Sequence, residues 1–265
     1  MKLFNLSEDS MRFYQDCQRK CAITMMSLMA ALCLILATAP ARAVVPTGTP
    51  TFSDPLDITN PYHPFQPGGV KVFQGSEGRT RLVGIHQYLT ETRSFSWNGT
   101  TVNTRVLREI SFEGGQLVEI SDNYFAQAND GTVYYFGEVV DNYEDGVVIN
   151  NDGSWLVGGP TLPSDPPTTA NAADPTVFMP ANPEVGDVFK PEDLPPVVDE
   201  TAEVVRVGVK VKVPADSYED AIAIEETSSL EPGTTTKWYA PGVGVVREKA
   251  KGEQFNLISS TLVSP

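Results

Sequence analysis

Beyond residue 43 this chain has no cysteine, because Cys17, Cys21 and Cys33 all precede it. Disulfides, thiolate zinc sites and cysteine nucleophiles are therefore excluded from residue 44 onward. Histidine is nearly as scarce, with His63 and His86 the only two, and a lone histidine is ordinarily structural. No Gly-x-Ser-x-Gly elbow occurs and Gly75-Ser76-Glu77-Gly78 has the wrong spacing, so a Ser-His-Asp hydrolase finds no support. Also missing beyond residue 43 is any segment of ten or more residues with a convincing 3.6-residue apolar repeat. Little helix is expected, beyond one turn that Ser217 to Ala221 could make.

Basic residues are few as well. Five of the 19 Lys and Arg and three of the 34 Asp and Glu fall within residues 1–43, which leaves 14 bases, 31 acids and a net charge of −17. Such a surface repels phosphate backbones and anionic headgroups alike. Nucleic acid is not an expected partner, and membrane contact is expected only if the start of the chain stays attached. Solubility is the simpler reading of the acidity; binding of cations or a basic partner is the sharper one.

What the chain does contain begins with a leader. Arg12, Arg19 and Lys20 precede an apolar run from Ala22 to Ala39, and Ala41-Arg42-Ala43 closes it. Charge, apolar middle and small-x-small ending together make a secretory signal cleaved near Ala43. The protein is accordingly expected to be secreted or periplasmic, with a Gram-negative envelope as the favoured setting. Glu8, Asp9 and Asp16 make the leader untidy, and Met11 offers an alternative start. At 18 residues the apolar run also reaches the lower limit of a spanning helix, so an uncleaved anchor stays open. Leu32 before Cys33 argues against lipid attachment.

Prolines divide the remainder into a proline-rich arm over 44–68 and a β domain over 69–265 with a proline-rich loop at 158–176. The part of that loop from Gly158 to Pro175 is expected to be exposed and dispensable to the fold, since it offers little apolar area to bury. Thr101 to Phe112, Gln116 to Gln127, Thr132 to Val140, Glu203 to Val213, Ala221 to Thr227, Thr235 to Tyr239 and Gly244 to Glu248 read as strands. Asp130-Gly131, Asp145-Gly146 and Asp152-Gly153 supply hairpin turns. Period 2 places Val205, Val207, Val209, Val211 and Val213 on one dry face, whereas Tyr134, Tyr135 and Phe136 load both faces of their strand. The fold expected is mainly β: a single, strongly curved antiparallel sheet, half-barrel or barrel-like.

Chemistry is harder to place. Glycosidases need only two carboxylates at a set separation, but among 31 acids no pair stands out. Asp141 to Gly146 resembles an oxygen-rich calcium loop, yet Tyr143 stands where an EF-hand needs an oxygen donor. Asn98-Gly99-Thr100 matches a glycosylation acceptor and reads equally as a turn. No catalytic residue, metal site or cofactor is assigned. If one face of the sheet lines a pocket, Tyr134, Phe136, Trp238 and Tyr239 are the candidate ligand-binding residues.

Several phrases resemble members of a poorly characterised group of exported bacterial β-rich proteins. They are Asn60-Pro61-Tyr62 with Phe65, then Tyr124-Phe125-Ala126-Gln127 through Asp130-Gly131 to Val133-Tyr134-Tyr135-Phe136-Gly137-Glu138, next Met179-Pro180-Ala181 with Val185-Gly186-Asp187, and finally Trp238-Tyr239-Ala240-Pro241-Gly242-Val243-Gly244. The last phrase is also similar to strand endings in periplasmic half-barrel proteins, which implies a concave face able to hold an apolar ligand. The resemblance implies no activity or cofactor. A non-catalytic binding or interaction role in the envelope is expected, its partner an envelope protein or an apolar small molecule. The alternatives are a carrier of lipid or another apolar ligand, and a carboxylate-based hydrolase.

Overall fold

In the computed structural model, which describes residues 43–44 and 48–262, strands are the only long regular elements. In chain order they are β1 (Ala43–Val44), β2 (Val70–Glu77), β3 (Thr80–Trp97), β4 (Thr100–Glu113), β5 (Gln116–Gln127), β6 (Val133–Glu144), β7 (Val147–Asn150) and β8 (Trp155–Val157). After them come β9 (Ala170–Ala172), β10 (Thr176–Met179), β11 (Asp187–Leu194), β12 (Val198–Lys212), β13 (Ser217–Thr227), β14 (Thr235–Ala240), β15 (Gly244–Ala250) and β16 (Glu253–Ser260). The leader expected over residues 1–43 lies, except for Ala43, outside the described residues.

Chain neighbours pair antiparallel from β11 to β16, β16 pairs with β2, and the run continues antiparallel to β6. β6 then takes β10 along part of its length, and β10 lies beside β11, where the Thr176 hydroxyl donates to the Pro191 carbonyl. The sheet thus curls almost onto its own first edge. It is a nearly closed barrel, the strongly curved antiparallel sheet that strand patterning predicts. Parallel pairing is confined to its margins, β1 on β11 and β8 on β9.

Local sequence explains the tight corners. Asn98-Gly99 and Asp145-Gly146 each form a two-residue hairpin with both residues at positive φ (48° and 73°, 51° and 77°), the turn whose twist matches the strands it joins. Both faces of β6 are covered, as its aromatic pattern implies: Tyr134, Tyr135 and Phe136 are all buried. Gly137 follows because a Cβ there would sit 2.1 Å from the Trp155 carbonyl oxygen of neighbouring β8.

Three expectations fail, the first that Asp152-Gly153 turns a hairpin: β7 and β8 on either side of it both pair with β6. The five valines do not share a face, since β12 shifts register repeatedly between Val204 and Val211 with Gly208 at φ 65°. Each extra residue in a bulge moves the inward position by one, so Ala202 and Val204 are buried, Val207 is 45% exposed, and Val211 and Val213 are buried again. Ser217 to Ala221 is the start of β13, not a helical turn. The segment from Gly158 to Pro175 is exposed over most of its length, as expected, but it is fastened to the sheet. It contains β9, and Asp165 accepts from both terminal nitrogens of Arg93 at 2.8 and 2.7 Å and from the backbone N–H groups of Thr161 and Leu162. Both side chains of this ion pair are buried, and the guanidinium lies 4.8 Å from the Tyr124 ring centre. A proline-rich composition shows few apolar anchors; it does not reveal one buried carboxylate.

The proline-rich arm is fastened too. Gln127 Oε1 accepts from the N–H groups of Thr59 and Asn60, the Asn60 amide donates to the carbonyls of Gly131 and Pro180, and Ile58, His63 and Phe65 are buried. The arm plugs one region of the barrel with rings: Phe52 meets Trp97, Tyr134 and Phe136 edge-on at 5.7–6.0 Å. Around these the main apolar core gathers, and a smaller one forms about Phe73, Val211, Val246 and Leu257.

Candidate functional site

Not all of the barrel interior is filled. A chamber of about 210 Å³ is walled by side chains from β3, β4, β5, β6, β10, β11, β12, β14 and β15, with His63 of the arm against it. Residues two apart on a strand share a face. Burial of Tyr88 therefore carries His86 inward, Leu107 carries Glu109, and Tyr239 carries Lys237. On β6 a bulge opposite Asn123 and Phe125 lets Tyr135 and Glu138 both face in although they stand three apart.

Five glutamates, Glu109, Glu138, Glu192, Glu200 and Glu248, line this chamber with Lys237 and both histidines of the sequence. A buried charge persists only if it is compensated, and the wall shows how. Lys237 Nζ lies 2.6 Å from Glu226 Oε2. Burial opposes its charge, but the carboxylates of Glu226, Glu200 and Glu248 hold it well above the ordinary lysine range. Glu138 is pushed far above the carboxylate range by burial, then by the charge of Glu192 and a hydrogen bond with it. Glu192 is raised as well, chiefly by burial. Two such groups in contact share one proton.

The remaining bases are all lowered. His63 and His86 are lowered to about 3, mainly by burial and next by Lys71, so both imidazoles are neutral at physiological pH. His86 Nδ1 stands 3.3 Å from Glu109 Oε1. Lys71, fully buried beside the wall, donates to the carbonyls of Val243 and Val245, and burial lowers it to about 7. The His63 ring is wedged between Phe125 and Phe178, with centroids at 4.6 and 4.7 Å, and its Nε2 has no hydrogen-bond partner. Among the described residues no group of three or more Asp, Glu or His converges closely enough to hold a metal ion.

The chamber has a mouth. A second space of about 210 Å³ shares Glu200, Lys237 and Glu248 with it and runs past Glu226 to Glu253 and the exposed Lys249. Elsewhere, at the seam where β10 meets β11, a more open groove of about 700 Å³ is lined by Trp97, Tyr134, Val177, Val188 and Phe189.

The four residues singled out by sequence are not brought together. Tyr134 lines the seam groove, Phe136 is fully buried among rings, and Tyr239 lines the chamber. Trp238 is half-buried away from it, under the Arg247 guanidinium at 5.7 Å. Sequence reasoning missed the glutamates and Lys237. The signal available was a charge two residues from a bulky apolar side chain within a strand, as in Leu107-Arg108-Glu109 or Lys237-Trp238-Tyr239.

No protein-family model matches the chain, and no curated protein matches it. Among solved structures, an exported protein with YmcC-like fold from Bacteroides fragilis is similar at 14% identity, covering 76% of this chain and 98% of that one with a TM-score of 0.37.

Proposed function

We propose that this is an exported, non-catalytic binding protein whose ligand, a small polar molecule, occupies the chamber inside the barrel. The observation that supports the reading is the chamber itself: a recess inside the barrel whose wall is charged, reached through a mouth of the same character. A dry cavity of about 150 Å³ accepts benzene, so this volume suits a molecule of under roughly ten non-hydrogen atoms. An apolar ligand would strand the glutamates without water, which weighs against lipid on the concave face. The Glu138–Glu192 pair does not suit glycoside hydrolysis either. Glycosidase carboxyls stand roughly 5 to 9.5 Å apart to admit substrate or water, whereas those of Glu138 and Glu192 are hydrogen-bonded to each other.

Because the sequence has only two histidines and both face the chamber, their imidazole NMR signals report its occupancy. Saturable shifts of both on addition of at least one member of a panel of small polar molecules are expected. If no member moves either signal, the chamber is not a binding site.

A second reading, a carrier of an apolar ligand, draws on the seam groove with its Trp97, Tyr134 and Phe189. It requires that a fluorescent apolar probe bind saturably and that Phe189→Asp abolish the binding.

A further inference from the structure

Acceptors dominate the chamber and its mouth. Five glutamates line the first, and Glu226 and Glu253 extend the series through the second. Against these seven carboxyls stand the firmly charged ammonium of Lys237, the exposed Lys249 at the outer end of the mouth, and a Lys71 amine already committed to two backbone carbonyls. The histidines are neutral and relieve none of the excess. Protons partly compensate it, as in the Glu138–Glu192 pair, but a wall short of positive charge is built to receive more.

A second observation lies apart from the acids. His63 is only 7% exposed, its ring is fixed between Phe125 and Phe178 against the chamber, and its buried Nε2 has no partner. A buried polar atom is rarely left unpaired. A neutral imidazole nitrogen is a good acceptor for an N–H.

The geometry also discriminates among cations. A metal ion needs its donors gathered at one point, and among the described residues none are so gathered. The carboxyls are instead spaced around a wall that also presents Tyr88, Leu107, Phe125 and Tyr239. Separated acceptors with ring faces between them fit a charged head on a short carbon body.

Taking the chamber to be the binding site, we infer that its ligand is a small organic cation, a primary alkylammonium, whose N–H groups are accepted by Glu109 and Glu248 beside the His63 ring. The mouth, with Glu200, Glu226 and Glu253, draws such a cation inward and repels anions of the same size.

The test uses three probes of matched length on the protein with its leader removed: n-butylammonium, 1-butanol and butyrate. Isothermal titration and imidazole NMR are recorded for each. Butylammonium is expected to bind saturably and to shift His63 Nε2, with 1-butanol at least tenfold weaker and butyrate without effect. Glu248→Gln and Glu109→Gln, each checked for an unchanged circular dichroism spectrum, should each weaken butylammonium at least tenfold; if one fails to fold, the other decides. Equal binding of 1-butanol, preferential binding of butyrate, or full butylammonium affinity in a folded Gln variant would overturn the cation while leaving a chamber site in place. Silence of both histidines towards all three probes, and towards the wider polar panel, would overturn the chamber as well.

Discussion

One barrel encloses two unlike interiors. Around Phe52, Phe95, Trp97 and Phe136 the space is filled by aromatic rings in edge-on or tilted contact. Around Glu109, Glu138, Lys237 and Glu248 it is hollow and charged. Strand patterning is alike in both, a side chain inward at every second position except where a bulge intervenes. The difference lies in what covers the strands. Over the first region the proline-rich arm delivers Phe52 and the 158–175 segment delivers Asp165 to Arg93. Over the second the arm contributes only His63, and neighbouring walls face one another across the chamber. The comparison shows that a sheet of uniform periodicity can be stabilised in one region and left receptive in the other, according to which loops fold back upon it.

If that division is correct, truncation should be costly in the aromatic region and neutralisation tolerated in the chamber. The largest effect is expected for Phe136→Ala. Phe136 is fully buried against Phe52 and Phe95, and deleting such a ring costs roughly 3 to 5 kcal/mol. Denaturant unfolding measures it, and a loss below about 1 kcal/mol, within the range of an ordinary surface change, would mean that the region is not a packed core.

Next comes the strap. Asp165→Ala leaves the Arg93 guanidinium buried without its carboxylate, a change that costs about 3 kcal/mol in comparable pairs. Burial works against the charge of Asp165, yet the hydrogen bonds from Arg93, Leu162 and Thr161 hold its carboxyl below the usual range. Its contribution is therefore present above the ordinary aspartate value and lost as pH falls through the lower folded one. Limited proteolysis within 158–175 should accelerate in the variant. An unchanged unfolding midpoint and cleavage rate would bear out the expectation that this segment is dispensable.

Much of this fold is legible in the sequence, and the reasons are local. Hairpin dipeptides such as Asn98-Gly99 and Asp145-Gly146 require positive φ, and the runs of β4, β5, β6, β14 and β15 are bounded by such signals. What period 2 cannot give is the count of bulges, which in β12 sends the valines to different faces. Nor can it say which face of a strand is concave. Glu109 and Lys237 look like solvated positions until the sheet curls round them, so the chamber depends on long-range closure that no single strand encodes.

The chamber side of the comparison is sharpened by Glu138→Gln. Glu138 is raised by burial and by Glu192, so its share of stability is complete below the ordinary glutamate value and declines as pH rises towards the folded value. Glutamine keeps a neutral donor to Glu192 and cannot ionise. The variant should match the parent near pH 4 and melt a few degrees higher near pH 8, where about 1 kcal/mol shifts a chain of this size by roughly 2 to 4 °C. The histidines, lowered to about 3, lose stability in the opposite direction as pH falls below about 6.5, but they do so equally in both proteins. A variant less stable than the parent at every pH would show that the pair is held together by charge.

The smallest effect is expected at Trp238, and its neighbour supplies the control. Tyr239 is buried and faces the chamber, whereas Trp238 is half-buried away from it, beneath Arg247. An exposed cation–π contact is worth about 0.5 to 1 kcal/mol, so Trp238→Ala should cost about 1 kcal/mol. Tyr239→Ala should cost about 3 kcal/mol by the same cavity reasoning that applies to Phe136. Only the second change enlarges the chamber, so only it should alter butylammonium binding and move the imidazole signals of His63 and His86. Thermal unfolding and NMR of the two variants read both consequences. Equal, large destabilisation would place packed core on both sides of β14, whereas altered imidazole signals in Trp238→Ala would put the indole within reach of the chamber and remove the boundary between the two regions.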